Sequence, residues 1–185
     1  FVDETTTIQQ RNAVQSWVRL IPRPEILIFG DGQGFEEICQ EFGLIRQYVR
    51  QNEKGVPYLN DMMLRADKLA TNDHLLLVSA DIILLQHTMN VIPMMVESGM
   101  EMYCVVAVKM ESTINTPLTF EDGWEEKALQ TIKHSSLPTS GDFFLHKRGF
   151  LDAMPPMPEF VIGRGMCDSW LFHHAIERDI LVDAT

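Results

Sequence analysis

The sequence is poor in cysteine and contains no long apolar run. Its 185 residues include three cysteines, Cys39, Cys104 and Cys167, which lie far apart and form no C-x-x-C pair. This usage is typical of free thiols in a reducing compartment rather than of a disulfide framework, so we predict a cytoplasmic protein. No apolar run approaches the roughly 20 residues needed to cross a bilayer, which predicts that there is no membrane span.

Basic residues are also scarce relative to acidic ones. The sequence has 15 Lys and Arg against 26 Asp and Glu, which gives a formal net charge of -11. A field of this sign repels polyanions, so we predict no nucleic-acid partner. The apolar share of 45% and the charged share of 22% are typical of globular proteins and exclude a disordered or low-complexity chain.

Apolar runs alternate with helix-like patterns along the chain. Continuous apolar runs predict buried strands, and apolar residues spaced by three and four predict helices. The predicted strands are residues 25–29, 44–49, 74–78, 102–108 and 142–146, and the predicted helices are residues 8–21, 34–42, 60–72, 85–98, 124–134 and 168–178. Uninterrupted strands separated by helices indicate an α/β fold with a mostly parallel central sheet and helices on both faces.

Three carboxylates lie next to the ends of these strands, where α/β sheets bind ligands. They belong to Asp31, Asp81 and Asp142. The two-residue period of a strand puts Ser79 and Asp81 on the same side, where an acid can hold a hard divalent cation. We therefore predict Asp81 as a metal ligand, with a helix cap or turn residue as the alternative. Asp142 either contacts a ligand or simply leads from a turn into a strand.

A glycine-rich turn, Gly30-Asp31-Gly32-Gln33-Gly34, follows the first predicted strand. It is similar to a dinucleotide fingerprint, in which glycines let the backbone approach a pyrophosphate at a helix N-terminus. The third glycine is out of register, because Phe35 stands where G-x-G-x-x-G requires glycine. Two alternatives stay open: an NAD site of an oxidoreductase, or a turn that binds no ligand.

The last predicted helix opens with Cys167-Asp168-Ser169-Trp170, after Gly163-Arg164-Gly165. Asp168 at this position is either the N-cap of the helix or, in a cleft, a carboxylate tuned as a general base. The sequence leaves these two roles open.

The same helix carries His173, His174 and Glu177, which suggest a metal-binding trio. Adjacent histidines point about 100° apart on a helix, and no spacing matches H-E-x-x-H. We interpret the two histidines as ordinary surface or core residues.

Five segments together resemble a GT-A-type glycosyltransferase. A group of these enzymes, with homologues in large algal viruses, carries similar I-Q-R-N-A, F-G-D, G-T-P, N-A-D-I-I-L and G-R-x-x-W-D-N-W-L stretches in the same order. The five segments are Ile8-Gln9-Gln10-Arg11-Asn12-Ala13, residues 26–34, Gly55-Val56-Pro57-Tyr58-Leu59-Asn60-Asp61, Ser79-Ala80-Asp81-Ile82-Ile83-Leu84 and Asp183-Ala184-Thr185. The first four are similar to the first four stretches, and the W-D-N-W part of the fifth stretch appears as Cys167-Asp168-Ser169-Trp170. The resemblance implies one Rossmann-like GT-A domain over residues 1–185 that lacks its first strand and its C-terminal end.

The resemblance also implies a metal-dependent glycosyltransferase. It would move a sugar from a nucleotide-diphospho-sugar donor, with a UDP-sugar favoured, to a glycan or other hydroxyl acceptor, using Mn²⁺ or Mg²⁺ at the donor diphosphate. By position, Asp81 is the metal ligand, Ser79 replaces the first acid of the D-x-D motif, and Asp168 is the base of an inverting reaction. The residues expected to contact the substrates are Arg11, Asp31, Asn60, Asp61, Ser79, Asp142, Arg164 and Trp170.

Two segments depart from the family pattern. Ser79 stands where D-x-D has its first acid, and Cys167-Asp168-Ser169-Trp170 stands for W-D-N-W. These changes leave a further alternative open, a non-catalytic module that binds nucleotide sugars.

Overall fold

The computed structural model describes residues 4–32, 34–133, 142–164 and 166–184. Gln33, His134, Gly165 and Thr185, which belong to segments discussed above, lie outside the described residues. Within the described ranges the α-helices are α1 (Glu4–Trp17), α2 (Phe35–Phe42), α3 (Leu59–Leu69), α4 (Val91–Ser98), α5 (Trp124–Leu129) and α6 (Cys167–Glu177). The strands are β1 (Leu27–Phe29), β2 (Ile45–Gln47), β3 (His74–Val78), β4 (Cys104–Val106), β5 (Phe143–Lys147) and β6 (Leu181–Asp183), and short 3₁₀ turns cover Gln86–Asn90 and Leu151–Ala153.

The strands form two sheets of different character. β1 and β2 pair in parallel, whereas β3, β5, β4 and β6 form a four-stranded sheet in that order. β5 runs antiparallel to both β3 and β4, and β6 runs parallel to β4. The predicted α/β class is confirmed, but the mostly parallel sheet is wrong. Four of the five residues of β5 are buried. A buried strand has a continuous apolar run whether it is parallel or antiparallel to its neighbours, so the sequence did not reveal its direction.

The direction of β5 decides which side chains meet at one edge of the sheet. β3, β4 and β6 point the same way and end at the edge where β5 begins, with Val78 opposite Phe143 and Val106 opposite Phe144. Asp142, which precedes β5, therefore lies at the same edge as the residues that follow β3. In an all-parallel sheet it would lie at the opposite edge.

The sheet is covered by apolar side chains on both faces. Phe144 and Leu145 are adjacent in β5, are each 1% exposed, and belong to two different core clusters. Successive residues of a strand point to opposite faces, so each cluster covers one face. One cluster takes residues from α3 and α6, among them Met63 and Leu171, and the other takes residues from α1 and α4, among them Trp17.

None of the helices in the described ranges combines the length and the apolar character needed to cross a membrane.

Candidate functional site

Four polar side chains meet at the carboxyl end of β3 and β4, and we call Ser79, Asp81, Lys109 and Asp142 the sheet-edge group. Ser79 Oγ donates a hydrogen bond to Asp142 Oδ1 over 2.8 Å, and the Ser79 backbone N–H donates to the Asp142 carbonyl over 3.2 Å. Lys109 Nζ lies 2.6 Å from Asp142 Oδ2. Both carboxylate oxygens of Asp142 are thus held, while Asp81 is exposed two residues beyond Ser79.

The charges around Lys109 keep its ammonium group protonated. The hydrogen bond with Asp142 raises the pKa of Lys109; burial opposes this, and the negative charges of Asp142, Asp81 and Glu111 raise the pKa further. Asp81 is therefore close enough to act on the Lys109 ammonium electrostatically. The sheet edge presents one fixed cation together with an exposed carboxylate.

The loop that carries Asp81 is held in place by α1. Trp17 Nε1 donates to the Ile82 carbonyl over 2.8 Å, and Ser16 Oγ accepts a hydrogen bond from the Leu84 backbone N–H over 3.0 Å. Ser16 is fully buried, so its bond with Leu84 is shielded from water. The loop itself closes through a 3.1 Å bond from Ile82 N–H to the Ser79 carbonyl. The exposed carboxylate of Asp81 therefore stands on a fixed turn.

This sheet edge has the donor chemistry that a hard divalent cation requires. Mg²⁺ and Mn²⁺ prefer oxygen ligands, and Mg²⁺ is usually held by one or two carboxylates together with substrate phosphates and water. Asp81 offers an exposed carboxylate, and Lys109 supplies a cation beside it for a polyanionic substrate. Asp81 therefore offers one ligand of the kind that the predicted Mn²⁺ or Mg²⁺ would take, with the remaining ligands left to substrate and water.

Asp31 and Asp61 lie on two sides of one loop, residues 50–51. Gln51 Nε2 donates to Asp31 Oδ1 over 2.8 Å, and the Arg50 backbone N–H donates to Asp61 Oδ2 over 2.6 Å. The structure thus links two predicted substrate-binding acids that are 30 positions apart in the sequence through a loop that was not predicted to take part.

The environment of Asp61 stabilises its ionised form. Burial alone raises the pKa of Asp61, but the hydrogen bonds from Arg50 N–H and from Arg65 Nε, the latter 2.7 Å long, outweigh it and lower that pKa. The guanidinium of Arg50 lies 4.3 Å from the centre of the Tyr58 ring and pairs with Glu159 at 2.6 Å. These contacts fix the position of the loop.

Asn60 and Arg164 flank the same region. Asn60 Oδ1 accepts a hydrogen bond from the Asp61 backbone N–H over 2.9 Å at the start of α3. The backbone of residues 57–59 pairs with residues 160–162, through Leu59 N–H to the Phe160 carbonyl at 2.9 Å and Ile162 N–H to the Pro57 carbonyl at 3.0 Å. Arg164 follows directly and is exposed. This pairing brings the start of α3 next to the segment that leads into α6.

Asp168 lies in the first turn of α6 and is half-buried. A carboxylate there is stabilised by the unpaired N–H groups of the helix end. Cys167 Sγ donates to Asp168 Oδ1 over 3.2 Å, and burial, followed by this bond and the charge of Asp168, raises the pKa of Cys167 to about 11. The N-cap is Met166, so the N-cap role considered for Asp168 is wrong, and Asp168 lies two residues after the cap, within the first turn.

Trp170 and Arg11 take part mainly in packing and pairing. The Trp170 ring is half-buried, with its centre 6.2 Å from that of Phe160 and 4.6 Å from that of His174. Arg11 donates from one guanidinium nitrogen to both oxygens of Glu41, each at 2.6 Å. Arg11 therefore joins α1 to α2.

The glycine-rich turn is explained in part by packing. Gly30 has a φ of +144°, and a Cβ atom there would lie 2.7 Å from Cζ of Phe35. The Phe35 ring thus fills the space against Gly30 that a bound pyrophosphate would need in a dinucleotide site. This contact supports the alternative of a turn without a ligand.

Sequence reasoning missed two cations, Lys109 and Arg50. Both positions could have been noticed, because Lys109 directly follows the predicted strand 102–108 and Arg50 directly follows the predicted strand 44–49. Only acidic residues were considered at these strand ends. A search for basic residues at strand ends would have found them. Which acid pairs with each cation could not be found in this way, because Asp142 and Glu159 lie far from Lys109 and Arg50 in the sequence.

Comparison with known proteins gives one structural similarity. No protein-family model matches the sequence, and no curated protein matches it. The chain is similar to the crystal structure of a protein assigned as a glucose-1-phosphate thymidylyltransferase from Bacillus anthracis, in complex with a sucrose. The TM-score is 0.54 at 14% sequence identity, and the alignment covers 94% of this chain and 72% of that one. At this identity the similarity concerns the α/β fold.

Proposed function

We propose that this protein is a metal-dependent transferase of nucleotide-diphospho-sugars, and that it transfers the sugar to a hydroxyl group of a glycan or other acceptor. The observation that carries the proposal is the sheet-edge group, where an exposed carboxylate and a protonated lysine share the carboxyl end of the sheet. The fold similarity supports the substrate class, since that protein is named for a reaction that joins a nucleotide to a sugar phosphate.

The donor diphosphate would bind at the sheet edge. Asp81 would hold Mn²⁺ or Mg²⁺, which when bound supplies charge neutralisation at the diphosphate. The Lys109 ammonium would contact a phosphate oxygen directly, and Asp142 would keep that ammonium in place while Ser79 keeps Asp142 in place. An acidic protein can bind an anionic donor in this way, because the bound divalent cation offsets the negative charge of the carboxylates beside the phosphates.

The nucleoside would lie along the loop of residues 50–51. Asp31 and Asp61 both bond to this loop, and Asn60 is next to Asp61. Carboxylates are suited to accept hydrogen bonds from ribose hydroxyls or from a base N–H. A UDP-sugar is the favoured donor, and Arg11, which pairs with Glu41, is kept among the proposed nucleotide contacts.

The transfer itself would use Asp168 as the base. Its carboxylate would take the proton from the acceptor hydroxyl as that oxygen attacks the anomeric carbon. The bond from this carbon to the diphosphate oxygen breaks, the nucleoside diphosphate leaves with the electron pair, and the anomeric centre inverts. Arg164 would offset the charge on the leaving group, and Trp170 would contact the sugar.

A turnover assay with labelled nucleotide sugars and Mn²⁺ tests the role of Asp168. Asp168→Asn should lower the turnover rate by a factor of about 10² to 10⁴ and leave donor affinity nearly unchanged, because the base acts only in the chemical step. Asp122→Asn, at an exposed position before α5, is the matched control and should behave as wild type. Equal losses of affinity and turnover in Asp168→Asn would remove Asp168 from its proposed role.

Nucleotidyl transfer is the second candidate, favoured by the structural similarity. In that reaction a sugar phosphate oxygen attacks the α-phosphorus of a nucleoside triphosphate, and pyrophosphate leaves. The products separate the two candidates, because glycosyl transfer releases a nucleoside diphosphate and nucleotidyl transfer releases pyrophosphate. Binding of donor without either product indicates the non-catalytic module.

A cytoplasmic location remains our proposal, supported by three cysteines that are all free.

A further inference from the structure

Three potential metal ligands converge on the last turns of α6, and we call His173, His174 and Glu177 the α6 trio. His174 Nδ1 lies 2.9 Å from Glu177 Oε2, and His173 Nε2 lies 3.4 Å from Glu177 Oε1. One ligand atom from each of the three residues lies within 4.8 Å of the others. None of these residues belongs to the site proposed for the donor.

We propose that the α6 trio binds a divalent transition-metal ion of the Zn²⁺, Ni²⁺ or Cu²⁺ class at the protein surface. Two imidazole nitrogens and one carboxylate oxygen form a donor set that suits these ions and that occurs in known zinc sites. Ligand atoms bonded at about 2.0–2.1 Å to a tetrahedral Zn²⁺ lie about 3.4 Å apart. The nitrogen–oxygen distances of 2.9 and 3.4 Å, each to a different oxygen of Glu177, are close to this separation, and the three ligand atoms lie within 4.8 Å of one another.

The helix spacing permits this arrangement although the two histidines are adjacent. Glu177 is three residues from His174 and four from His173, and both spacings place side chains on the same helix face. The two imidazole rings tilt towards each other, with centres 4.9 Å apart and planes at 60°. Adjacent helix positions point about 100° apart, but the side chains of His173 and His174 both reach Glu177.

The end of α6 adds a partial charge that favours a cation beside the α6 trio. The α6 trio occupies the last turns of the helix, where the helix dipole places partial negative charge. The neighbouring Arg178 directs its Nε to the Ala153 carbonyl at 2.9 Å and another guanidinium nitrogen to the His174 carbonyl at 3.3 Å. Its guanidinium is therefore engaged with backbone carbonyls.

A built-in fluorophore reports on this site. The Trp170 ring centre lies 4.6 Å from that of His174, and Ni²⁺ and Cu²⁺ quench tryptophan fluorescence at short range. The metal preference separates the two sites of this chain, since imidazoles favour Ni²⁺, Cu²⁺ and Zn²⁺ whereas the carboxylate at the sheet edge favours Mg²⁺ and Mn²⁺.

The experiment titrates the full chain with Ni²⁺ at neutral pH, following tryptophan fluorescence and, with Zn²⁺, calorimetric heat. We expect saturable 1:1 quenching, with Cu²⁺ tighter than Ni²⁺ and Mn²⁺ much weaker, as the order of divalent ions requires. His173→Gln, His174→Gln and Glu177→Gln should each weaken binding by about tenfold or more, because each removes one ligand. Trp170→Phe should remove most of the quenching and keep the Zn²⁺ heat.

His87→Gln is the matched control, because His87 is an exposed histidine outside α6. Its metal affinity should equal that of wild type. His173 is 64% exposed, so His173→Gln keeps the fold even if His174→Gln does not, and circular dichroism checks both. Equal Ni²⁺ affinity in wild type and His173→Gln, or equal affinity for Mn²⁺ and Ni²⁺, would overturn the proposal.

Discussion

Lys109 Nζ and Asp142 Oδ2 lie 2.6 Å apart where β4 ends and β5 begins. Asp142 reaches this point because β5 runs antiparallel to β3 and β4, so the residue before β5 meets the residues after its neighbours. Ser79 holds the second carboxylate oxygen of Asp142. The ion pair fixes one cation at the sheet edge, and the proposed binding of a donor diphosphate depends on that cation.

Replacing Lys109 tests its contribution to donor binding. Lys109→Met should weaken binding of a nucleoside diphosphate by about tenfold, because one charged hydrogen bond contributes about 1.5 kcal/mol. The free energy of unfolding should fall by about 1–3 kcal/mol, because Asp142 Oδ2 is buried and loses its charged partner. Calorimetric titration and urea unfolding measure the two effects. Lys127→Met, at an exposed position in α5, should leave both quantities unchanged.

Asp61 should make the protein more stable at neutral pH than at acid pH. Its folded-state pKa is lowered, so its contribution is present above the ordinary carboxyl pKa and is lost as the pH falls through the lowered value. Asp61→Asn should therefore lower the free energy of unfolding by about 1–2 kcal/mol at pH 7, and the difference should shrink towards about pH 3. Urea unfolding across this pH range measures it. A difference in the free energy of unfolding that does not change with pH would contradict the lowered pKa of Asp61. Asp152→Asn, at an exposed site, serves as the control.

The thiol of Cys167 should report on the charge of Asp168. Its pKa of about 11 leaves little thiolate at pH 8, so alkylation by iodoacetamide should be slow. Asp168→Asn removes the negative charge that contributes to this pKa, and alkylation of Cys167 at pH 8 should become faster. Mass spectrometry of the peptide measures the rate, with the buried Cys39 and Cys104 as internal controls. A slower or unchanged rate would show that the carboxylate does not face the thiol.

Phe144 should be among the most sensitive core positions. Its side chain is 1% exposed and contacts the rings of Phe150, His146 and Phe172, with ring centres 5.2, 5.6 and 6.5 Å away. Phe144→Ala should lower the free energy of unfolding by about 3–5 kcal/mol through the cavity that it leaves. Ile176→Ala, at a position 62% exposed on α6, should change it by only about 0.5 kcal/mol. Urea unfolding compares the two, and similar losses would contradict the assigned burial.

Local patterns predicted most of the helices and strands, and tertiary pairing supplied what they missed. The apolar run of residues 74–78 predicted β3 with the bounds that the structure shows, because a buried strand leaves a continuous apolar signature. The direction of β5 depends on pairing with strands that are distant in sequence, and no local pattern encodes it. The same cause limits the site. Asp81 and Asp142 could be predicted at strand ends, whereas the partner of Asp142, Lys109, is set by how β4 and β5 pair.

The central claim is that Asp81 and the sheet edge hold a nucleotide sugar through a divalent cation. Calorimetric titration of UDP-sugars into wild type and Asp81→Asn, each with Mn²⁺ and with chelator, tests this claim most directly. We expect saturable binding by wild type only when Mn²⁺ is present, and loss of that binding in Asp81→Asn. Binding of equal affinity in both proteins, or binding by wild type that Mn²⁺ does not change, would contradict the account.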